Sequence, residues 1–332
     1  MTEPVIIDSI FFEKIVYLIL SFIVSFIVSF ISLPYLIEKS LKKNFTGVDL
    51  HKVDKRKVAK SGGLAIYIGF LAACTLSGLY NINDRVMLGM VLASTLGAII
   101  GLVDDIFELS KKSLVILTFL TGIPIITYRL GSTIVTLTPI GPLDLGLFFW
   151  LTVPFIFSFY TNSVNIYAGF NGLEAGLGLV TCISLGMAAF IYNSIESALL
   201  LFSLAGGLVA FLKYNWYPAK IFPGNTGTYL IGAVYASAIV AGTIKTAGII
   251  ATLPYLINFM LRLINRFNWT VGKTTKNGKI YAEKTEALWA IFMKNPTNEK
   301  SITKKCIVLQ IVFGVITILT SYIHRIVISS LI

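Results

Sequence analysis

The chain has 332 residues, of which 56% are hydrophobic and only 13% charged, a composition that excludes a water-soluble enzyme, a disordered chain and a disulfide-stapled scaffold. The apolar residues form continuous runs separated by short polar loops, which is unlike the alternating pattern of a membrane β-barrel. A membrane-spanning helix needs about 20 mostly apolar residues. The sequence therefore predicts an all-α, polytopic membrane bundle that forms a single domain over residues 1–332.

Ten apolar runs follow one another along the chain, and each is predicted to span the membrane once. They cover residues 10–33, 63–79, 86–103, 114–130, 147–159, 177–192, 198–212, 228–243, 246–264 and 307–323. The first run is preceded or begun by three acidic residues, Glu3, Asp8 and Glu13. The one positive residue there is Lys14. This order is the reverse of a signal peptide, so we expect the first span to be retained.

The net charge of +11 is distributed unevenly between alternate loops. One set of loops, about 38–60, 104–113, 160–176, 213–227 and 266–303, carries 22 of the 27 Lys and Arg residues when the flanks of the last loop are counted from 262 to 305. Positive loops face the cytoplasm in membrane proteins. We therefore predict that these loops are cytoplasmic, that both termini lie outside, and that the charge serves topology and lipid contact rather than nucleic acid.

An acidic pair, Asp104 and Asp105, lies at the end of the third predicted span. Carboxylates at a hydrocarbon boundary cost free energy unless they meet a cation or water, so a functional role is the default expectation. Such groups suit Mg²⁺ binding or proton transfer. The alternative is a helix end whose acids are solvated beside Lys111 and Lys112.

A second polar cluster lies between the fifth and sixth predicted spans. Asn162 and Asn165 are three residues apart and so share one helical face, whereas Asn171-Gly172 is a turn signal that exposes backbone amides. Carboxamides both donate and accept hydrogen bonds, as recognition of a nucleobase or a sugar requires. A purely structural turn needs one Asn-Gly pair, whereas this segment contains three carboxamides and the carboxylate of Glu174.

The third polar cluster opens the eighth predicted span, in the stretch Pro223-Gly-Asn225-Thr-Gly227. Glycines around small polar residues at a helix start leave amides free for an anion such as phosphate. The alternative is an ordinary capped helix start.

Four motifs occur in a fixed order along the chain: Gly62-Gly63, Gly101-x-x-Asp104-Asp105-x-x-x-Leu109, Asn162-x-x-Asn165-x-x-x-Gly169-x-Asn171-Gly172-Leu173 and Phe222-x-Gly224-x-Thr226-Gly227. This ordered set resembles the polyprenyl-phosphate N-acetylhexosamine-1-phosphate transferases. Residues 171–176 and 215–218 look like the eukaryotic and archaeal dolichyl-phosphate branch. The bacterial muramoyl-pentapeptide branch has a His-rich last loop, and residues 266–305 contain no His.

The resemblance implies a ten-span enzyme of the cell membrane whose active site is cytoplasmic. Such an enzyme transfers GlcNAc-1-phosphate from UDP-GlcNAc to a dolichyl-type polyprenyl phosphate, with Mg²⁺ as cofactor and UMP as the released product. This reaction is the first step of lipid-linked glycan assembly. Whether the chain forms a homodimer stays open.

The resemblance also implies roles for individual residues. Asp104 and Asp105 would be catalytic, serving the acceptor phosphate or its proton, and Asn165 and Asn225 would bind Mg²⁺. The implied substrate-binding residues are Lys52, Lys112, Asn162, Asn171, Gly172, Glu174, Arg266 and Lys273. Among them, Asn162 and Asn171 would contact the uridine, Lys112 would meet a phosphate, and Arg266 and Lys273 are candidates for the pyrophosphate.

Asn225 departs from the family pattern, because members normally have an Asp there that is a magnesium ligand. An Asn keeps a carbonyl oxygen but loses a full negative charge, so the metal site is expected to be weaker. Other readings stay open. The donor could be another UDP-HexNAc, and the chain could be a catalytically silent member or a transporter of lipid-linked sugar. A transporter would place polar groups near the middle of several spans, whereas here they collect at the span ends.

Overall fold

The computed structural model describes residues 3–52, 55–76, 83–137, 141–267, 272–275 and 277–331. Within them the helices are α1 Glu3–Lys42, α2 Gly62–Thr75, α3 Asp84–Phe107, α4 Lys111–Phe119, α5 Ile123–Thr127, α6 Leu147–Ile166, α7 Leu173–Ile191, α8 Ile195–Asn215, α9 Gly224–Ala241, α10 Lys245–Ala251, α11 Leu253–Ile264 and α12 Glu299–Leu331. Antiparallel pairs join β1 Thr46–Val48 to β2 Lys57–Ala59, β3 Ile134–Leu137 to β4 Gly141–Asp144, and β5 Lys273–Thr274 to β6 Ile280–Tyr281. The predicted helical class is confirmed.

The polytopic membrane character is confirmed as well. In the described chain six helices are long and apolar enough to cross a membrane, namely α1, α3, α6, α7, α8 and α12, and the bent pair α10–α11 would make a seventh. The count of ten spans and the position of the termini stay predictions. Residues 77–79 of the second predicted span, 53–54 of the first loop, and 268–271 and 276 of the last loop lie outside the described residues.

Two predicted spans are broken helices. The run 114–130 is divided by a 3₁₀ turn at Leu120–Gly122 between α4 and α5, and Pro124 lies in the first turn of α5, where its missing N–H costs nothing. The run 246–264 bends by 62° between α10 and α11, with Pro254 just after the break.

Several helices extend beyond the apolar runs that predicted them. Asp104 and Asp105 belong to the last turn of α3, and Asn162 and Asn165 to the end of α6. The predicted loops 104–113 and 160–176 are therefore too long, because these polar residues continue the helix instead of ending it. Their side chains are consequently held on regular backbone.

Helix α9 lies at the centre of the bundle, and all its residues from 226 to 240 are buried. Small residues on its neighbours allow this close packing. A Cβ at Gly97 of α3 would meet Ala233, and one at Gly101 would overlap the backbone of Asn225. The two glycines thus bring the end of α3 against the start of α9.

The β1–β2 hairpin joins the basic loop to the same end of the bundle. Phe222 donates its N–H to the carbonyl of Ala59 at 2.7 Å, and the N–H groups of Gly62 and Gly63 donate to Phe222 and Pro223 at 3.0 and 2.8 Å. The strand, the start of α2 and the start of α9 therefore form one hydrogen-bonded unit. All three polar clusters found in the sequence lie around it.

Candidate active site

The carboxylate of Asp105 holds the first turn of α9. It accepts hydrogen bonds from the N–H groups of Asn225 and Thr226 at 2.8 and 2.9 Å and from the Thr226 hydroxyl at 2.8 Å, and Lys60 lies 3.3 Å away. Free N–H groups at a helix start favour a negative partner. Gly224 makes the contact feasible, since it has a φ of +62° and a Cβ there would touch the carboxylate. Asp105 thus caps a helix that is remote in sequence.

Asp104 is adjacent in sequence but has a different environment. Its Oδ1 accepts the Leu109 N–H at 2.8 Å, and its Oδ2 accepts a hydrogen bond from the Asn225 amide at 2.6 Å. Unlike Asp105, it lines a large cavity. Of the acidic pair, Asp104 is therefore the member placed to meet a ligand.

This large cavity, here called cavity A, has a volume of about 670 Å³ and two chemically distinct parts. Its charged and amide side chains, here called the polar end, are those of Lys60, Asp104, Glu108, Lys111, Asn162, Asn165, Asn225 and Arg262. Its apolar part is formed by residues that include Leu114, Phe119, Phe155, Phe159, Phe259 and Phe267. Cavity A can therefore hold a molecule with an anionic head and a hydrocarbon chain.

The two carboxamides of α6 are oriented by hydroxyl groups within cavity A. Asn162 donates to Thr118 Oγ1 at 3.0 Å and to the Ser158 carbonyl at 2.8 Å. Asn165 accepts a hydrogen bond from Thr228 at 3.1 Å through its Oδ1. The spacing of three residues places both amides on the cavity side of α6, as the sequence predicted.

A smaller cavity of about 220 Å³, here called cavity B, lies beside cavity A. It is lined by residues 48–51 of the basic loop and by Phe170, Asn171, Glu174 and Phe222. The two cavities are close neighbours, because Asn165 lines the first and Ala168 the second.

The turn between α6 and α7 forms the floor of cavity B. Glu174 accepts the Gly169 N–H at 3.1 Å, and the N–H of Gly172 donates to Asn215 Oδ1 at 3.1 Å. Gly172 has a φ of +77°, and a Cβ there would lie 2.8 Å from the Trp216 ring. This turn therefore requires glycine for both its conformation and its packing.

A network of charges reaches cavity B at Asp49. Lys52 forms an ion pair with Glu299 and lies 3.6 Å from Asp49, while Arg56 lies 3.7 Å from Asp49. His51 stacks on Phe170 with ring centroids 4.6 Å apart. Residues of the basic loop are thereby linked to the start of α12.

Two groups of side chains could hold a metal ion. Ligand atoms of Asp49, His51 and Glu299 lie within 4.8 Å of one another, but Lys52 already supplies a cation to both carboxylates. The polar end of cavity A combines the Asp104 carboxylate with the amide oxygens of Asn165 and Asn225. Hard oxygen donors of this kind suit Mg²⁺, so the second group is the better fit.

Residues 87–243 match the glycosyl transferase family 4. A protein of Saccharolobus solfataricus is 34% identical over 270 residues, which cover 80% of this chain and 84% of that relative. The chain belongs to this family. That relative has the provisional name UDP-N-acetylglucosamine–dolichyl-phosphate N-acetylglucosaminephosphotransferase.

Two further relatives show the breadth of the similarity. A Dictyostelium discoideum UDP-N-acetylglucosamine–dolichyl-phosphate N-acetylglucosaminephosphotransferase is 24% identical over 277 residues, covering 69% of this chain and 67% of the relative. A Thermoanaerobacter phospho-N-acetylmuramoyl-pentapeptide-transferase is 31% identical over 217 residues, covering 61% and 66%. The resemblance inferred from the motifs is confirmed, and the matched region of glycosyl transferase family 4 contains Asp104, Asn165, Asn171 and Asn225.

The structure brings most of the predicted site residues of this family 4 member to the two cavities. Asp104, Asn162, Asn165 and Asn225 line cavity A, and Asn171 and Glu174 line cavity B, with Lys52 and Gly172 beside it.

Three predicted substrate-binding residues lie elsewhere. Lys112 is exposed, and its neighbour Lys111 lines cavity A instead. Arg266 is exposed just after α11. Lys273 is exposed and donates to Glu283 at 2.6 Å, a hydrogen bond that raises the pKa of Lys273.

Sequence reasoning missed several residues of the site. Asp49 and Glu299 are acids within strongly basic loops, a contrast that could have identified them. Arg262 was counted only as a topological charge, yet it is 1% exposed, lines cavity A and lies over the Trp289 ring. Its position as a cation within an apolar run is the signal that could have identified it.

Proposed function

We propose that this member of glycosyl transferase family 4 transfers GlcNAc-1-phosphate from UDP-GlcNAc to a dolichyl-type polyprenyl phosphate. The products are polyprenyl-diphosphate-GlcNAc and UMP. The observation that carries the proposal is the adjacency of two cavities with different chemistry, one suited to a lipid phosphate and the other to a nucleotide. The names of the archaeal and Dictyostelium relatives support the same pair of substrates.

Cavity A is proposed to bind the lipid phosphate. The aromatic and aliphatic part of its wall would contact the polyprenyl chain, because apolar surface is more stable against apolar side chains than in water. Lys60, Lys111 and Arg262 would attract the phosphate. A side chain such as Arg262, held rigidly against Trp289, is well placed for this because little conformational entropy is lost on binding.

Cavity B is proposed to bind the uridine of the donor. Its lining combines aromatic rings, at Phe170 and Phe222, with the Asn171 amide and Glu174. Rings provide stacking surfaces for a base, and an amide can pair with the base edge. The predicted uridine contact of Asn171 is consistent with this position, whereas Asn162 lies in cavity A and would be nearer to the sugar or the phosphates.

The reaction joins the two ligands where the cavities meet. An oxygen of the lipid phosphate attacks the sugar-bearing phosphorus of the donor, and the bond from that phosphorus to the UMP oxygen breaks. Asp104 would orient the acceptor phosphate or accept its proton. Asp105 would act on the same step by fixing the start of α9, and with it Asn225. Phosphoryl transfer asks a protein mainly for positioning and neutralisation of charge, which this arrangement supplies.

Mg²⁺ is the proposed cofactor, held by Asn165 and Asn225 beside the Asp104 carboxylate. When bound it would neutralise charge on the donor phosphates. Asn225 donates to Asp104 at 2.6 Å, a contact that a carboxylate at position 225 could not make. In this group Asp104 therefore supplies the carboxylate, and Asn225 can offer only its amide oxygen.

We further propose that the site faces the cytoplasm of a multi-pass protein in the cell membrane, as a single domain. The charge asymmetry between alternate loops supports this orientation. Cysteines introduced at Lys57 and Lys279 should react with a membrane-impermeant reagent only after the cells are opened. Labelling of either position in intact cells would contradict the orientation.

The deciding experiment measures UMP release by the purified protein. UMP and polyprenyl-diphosphate-GlcNAc should form only when UDP-GlcNAc, dolichyl phosphate and Mg²⁺ are all present. UDP-GalNAc in place of UDP-GlcNAc tests the choice of sugar. Binding of both substrates without release of UMP would indicate a catalytically silent member. Movement of lipid-linked sugar across the membrane of proteoliposomes, again without release of UMP, would indicate a transporter.

A further inference from the structure

Three separate segments of the chain hold Asn171. Its N–H donates to Glu299 Oε1 at 2.8 Å, and its carbonyl accepts a hydrogen bond from the Thr303 hydroxyl at 3.1 Å. Its side-chain Nδ2 donates to Asp49 Oδ2 at 3.1 Å. The backbone of this residue is thus fixed by α12, and its amide group by the basic loop.

The contact with Asp49 decides which way the amide faces. An ionised carboxylate can only accept hydrogen bonds, so the NH₂ side of the amide must point toward Asp49. The reverse orientation would bring the amide oxygen against a carboxylate oxygen. Asn171 therefore directs Oδ1 away from Asp49, and this oxygen accepts no hydrogen bond within the described chain, although the residue is only 3% exposed.

The position of Asp49 is itself fixed by charge. Its side chain is buried, Lys52 and Arg56 lie within 4 Å of Oδ2, and Lys52 is also paired with Glu299. The two cations hold the carboxylate in place, and its oxygens accept hydrogen bonds. Glu299 thus holds the backbone of Asn171 and Asp49 holds its side chain, while Lys52 links the two carboxylates to each other.

We propose that Asp49 is a positioning residue that makes cavity B selective for uracil over cytosine. The inference rests on the proposed function and goes beyond it by assigning how the base is chosen. Uracil presents an N3–H donor between two carbonyl oxygens, whereas cytosine presents an N3 acceptor beside an amino group. An Asn171 amide whose NH₂ is held by Asp49 has Oδ1 left to meet the base, and that oxygen would accept from uracil N3–H but oppose the cytosine N3 lone pair.

This arrangement predicts strong discrimination, because a site that hydrogen-bonds one edge leaves polar groups unpaired with the other. If the Asn171 amide is no longer held in one orientation, the preference for uracil over cytosine is lost although the amide is still present. In Asp49→Asn, residue 49 can donate as well as accept, so Asn171 can rotate and present its NH₂ to cytosine. Binding of the two nucleotides should then become more equal.

The test compares the affinities of UMP and CMP for the purified full-length protein by calorimetry. Wild type should bind UMP more tightly than CMP, and Asp49→Asn should reduce that preference by roughly tenfold or more. Asp49→Glu keeps an acceptor-only group and should keep the preference. Asp144→Asn, in the β3–β4 hairpin, makes the same chemical change away from the cavities and should behave as wild type.

Glu299→Gln provides a second discriminating variant. It weakens the bond to the Asn171 backbone while leaving the Asp49 contact, so both nucleotides should bind more weakly with the preference retained. If Asp49→Asn does not fold, Asp49→Ser carries the same expectation, because a hydroxyl also donates and accepts. An unchanged UMP preference in a folded Asp49→Asn or Asp49→Ser protein would overturn the inference. A wild-type protein that binds neither UMP nor UDP-GlcNAc would instead overturn the proposed function.

Discussion

Cavities A and B lie side by side but are built in different ways. The polar end of cavity A rests on helix ends that touch through Gly97 and Gly101, and its acidic pair bonds directly to α9. Cavity B rests on loops that are joined by ion pairs among Asp49, Lys52 and Glu299. Steric fit therefore positions the reacting groups, whereas charge positions the groups around the nucleotide. The two cavities should fail in different ways when they are mutated.

The largest effect is expected at the acidic pair. Asp104→Asn should stay folded but lower the rate of UMP release by about 10²- to 10⁴-fold, as loss of a catalytic acid–base group does. Asp105→Asn should lower the rate and also the melting temperature, because its new NH₂ group faces the N–H donors of Asn225 and Thr226. Asp144→Asn, at an exposed position of the β3–β4 hairpin, is the control. Wild-type rates in both aspartate variants would contradict the catalytic assignment and leave the pair the structural role of holding the start of α9.

Breaking the charge network should affect cavity B selectively. Lys52→Met leaves the buried Asp49 and Glu299 carboxylates facing each other, and removing one partner of a buried pair typically costs about 3–5 kcal/mol. We expect lower stability and a raised KM for UDP-GlcNAc, with kcat changed less. The matched control is Lys42→Met, whose exposed pair with Glu38 should be worth about 1 kcal/mol or less. Equal effects of the two variants would show that burial of the network is unimportant.

Steric fit at cavity A is tested by Gly101→Ala. The added Cβ would overlap the backbone of Asn225 and Thr226, so α3 and α9 must separate, at a cost of about 1–3 kcal/mol. The melting temperature and the rate of UMP release should both fall. In Gly178→Ala the nearest atoms to the new Cβ are the ends of the Leu208 and Ile231 side chains, 3.1 and 3.4 Å away, and a smaller loss is expected. If the two alanines are equally harmless, the close approach of α3 and α9 is not required.

Asn225→Asp addresses the departure from the family pattern. The new carboxylate would lie against Asp104, so the protein without metal should be less stable, while Mg²⁺ should bind more tightly. The Mg²⁺ concentration that gives half-maximal UMP release should fall by about tenfold, equivalent to about 1.4 kcal/mol. A titration at saturating UDP-GlcNAc measures it. An unchanged value would place the metal away from Asn225 and leave that residue a structural role at the start of α9.

The smallest effect is expected at Lys273, a predicted substrate-binding residue that belongs to neither cavity. Its exposed bond to Glu283 is screened by solvent, so Lys273→Ala should change UMP release by less than about twofold. Arg262→Met, which changes a buried cation of cavity A, should by contrast slow the reaction strongly. If Lys273→Ala is the more damaging of the two, the last loop must approach the substrates during turnover.

The sequence by itself determined the membrane class, the all-helical fold and the three polar clusters, because length, hydropathy and residue type are local properties. It also predicted Asp104, Asn165 and Asn171 as site residues through ordered motifs, and these residues line the two cavities. Helix ends were less predictable. The apolar runs stop before the helices do, since Asp104 and Asn162 extend α3 and α6 into the polar end of the bundle.

Only the tertiary structure distinguished residues that look equivalent in sequence. Asp104 and Asp105 are neighbours, yet one faces cavity A and the other caps α9, because consecutive residues of a helix point in directions about 100° apart. Lys52 and Lys273 are both loop lysines, but one is buried between Asp49 and Glu299 and the other is exposed. The contact between Asp49 and Asn171 joins residues 122 positions apart, and no local pattern records such a pair. Which charges meet depends on how the helices pack, and that is why the charge network of cavity B became visible only in three dimensions.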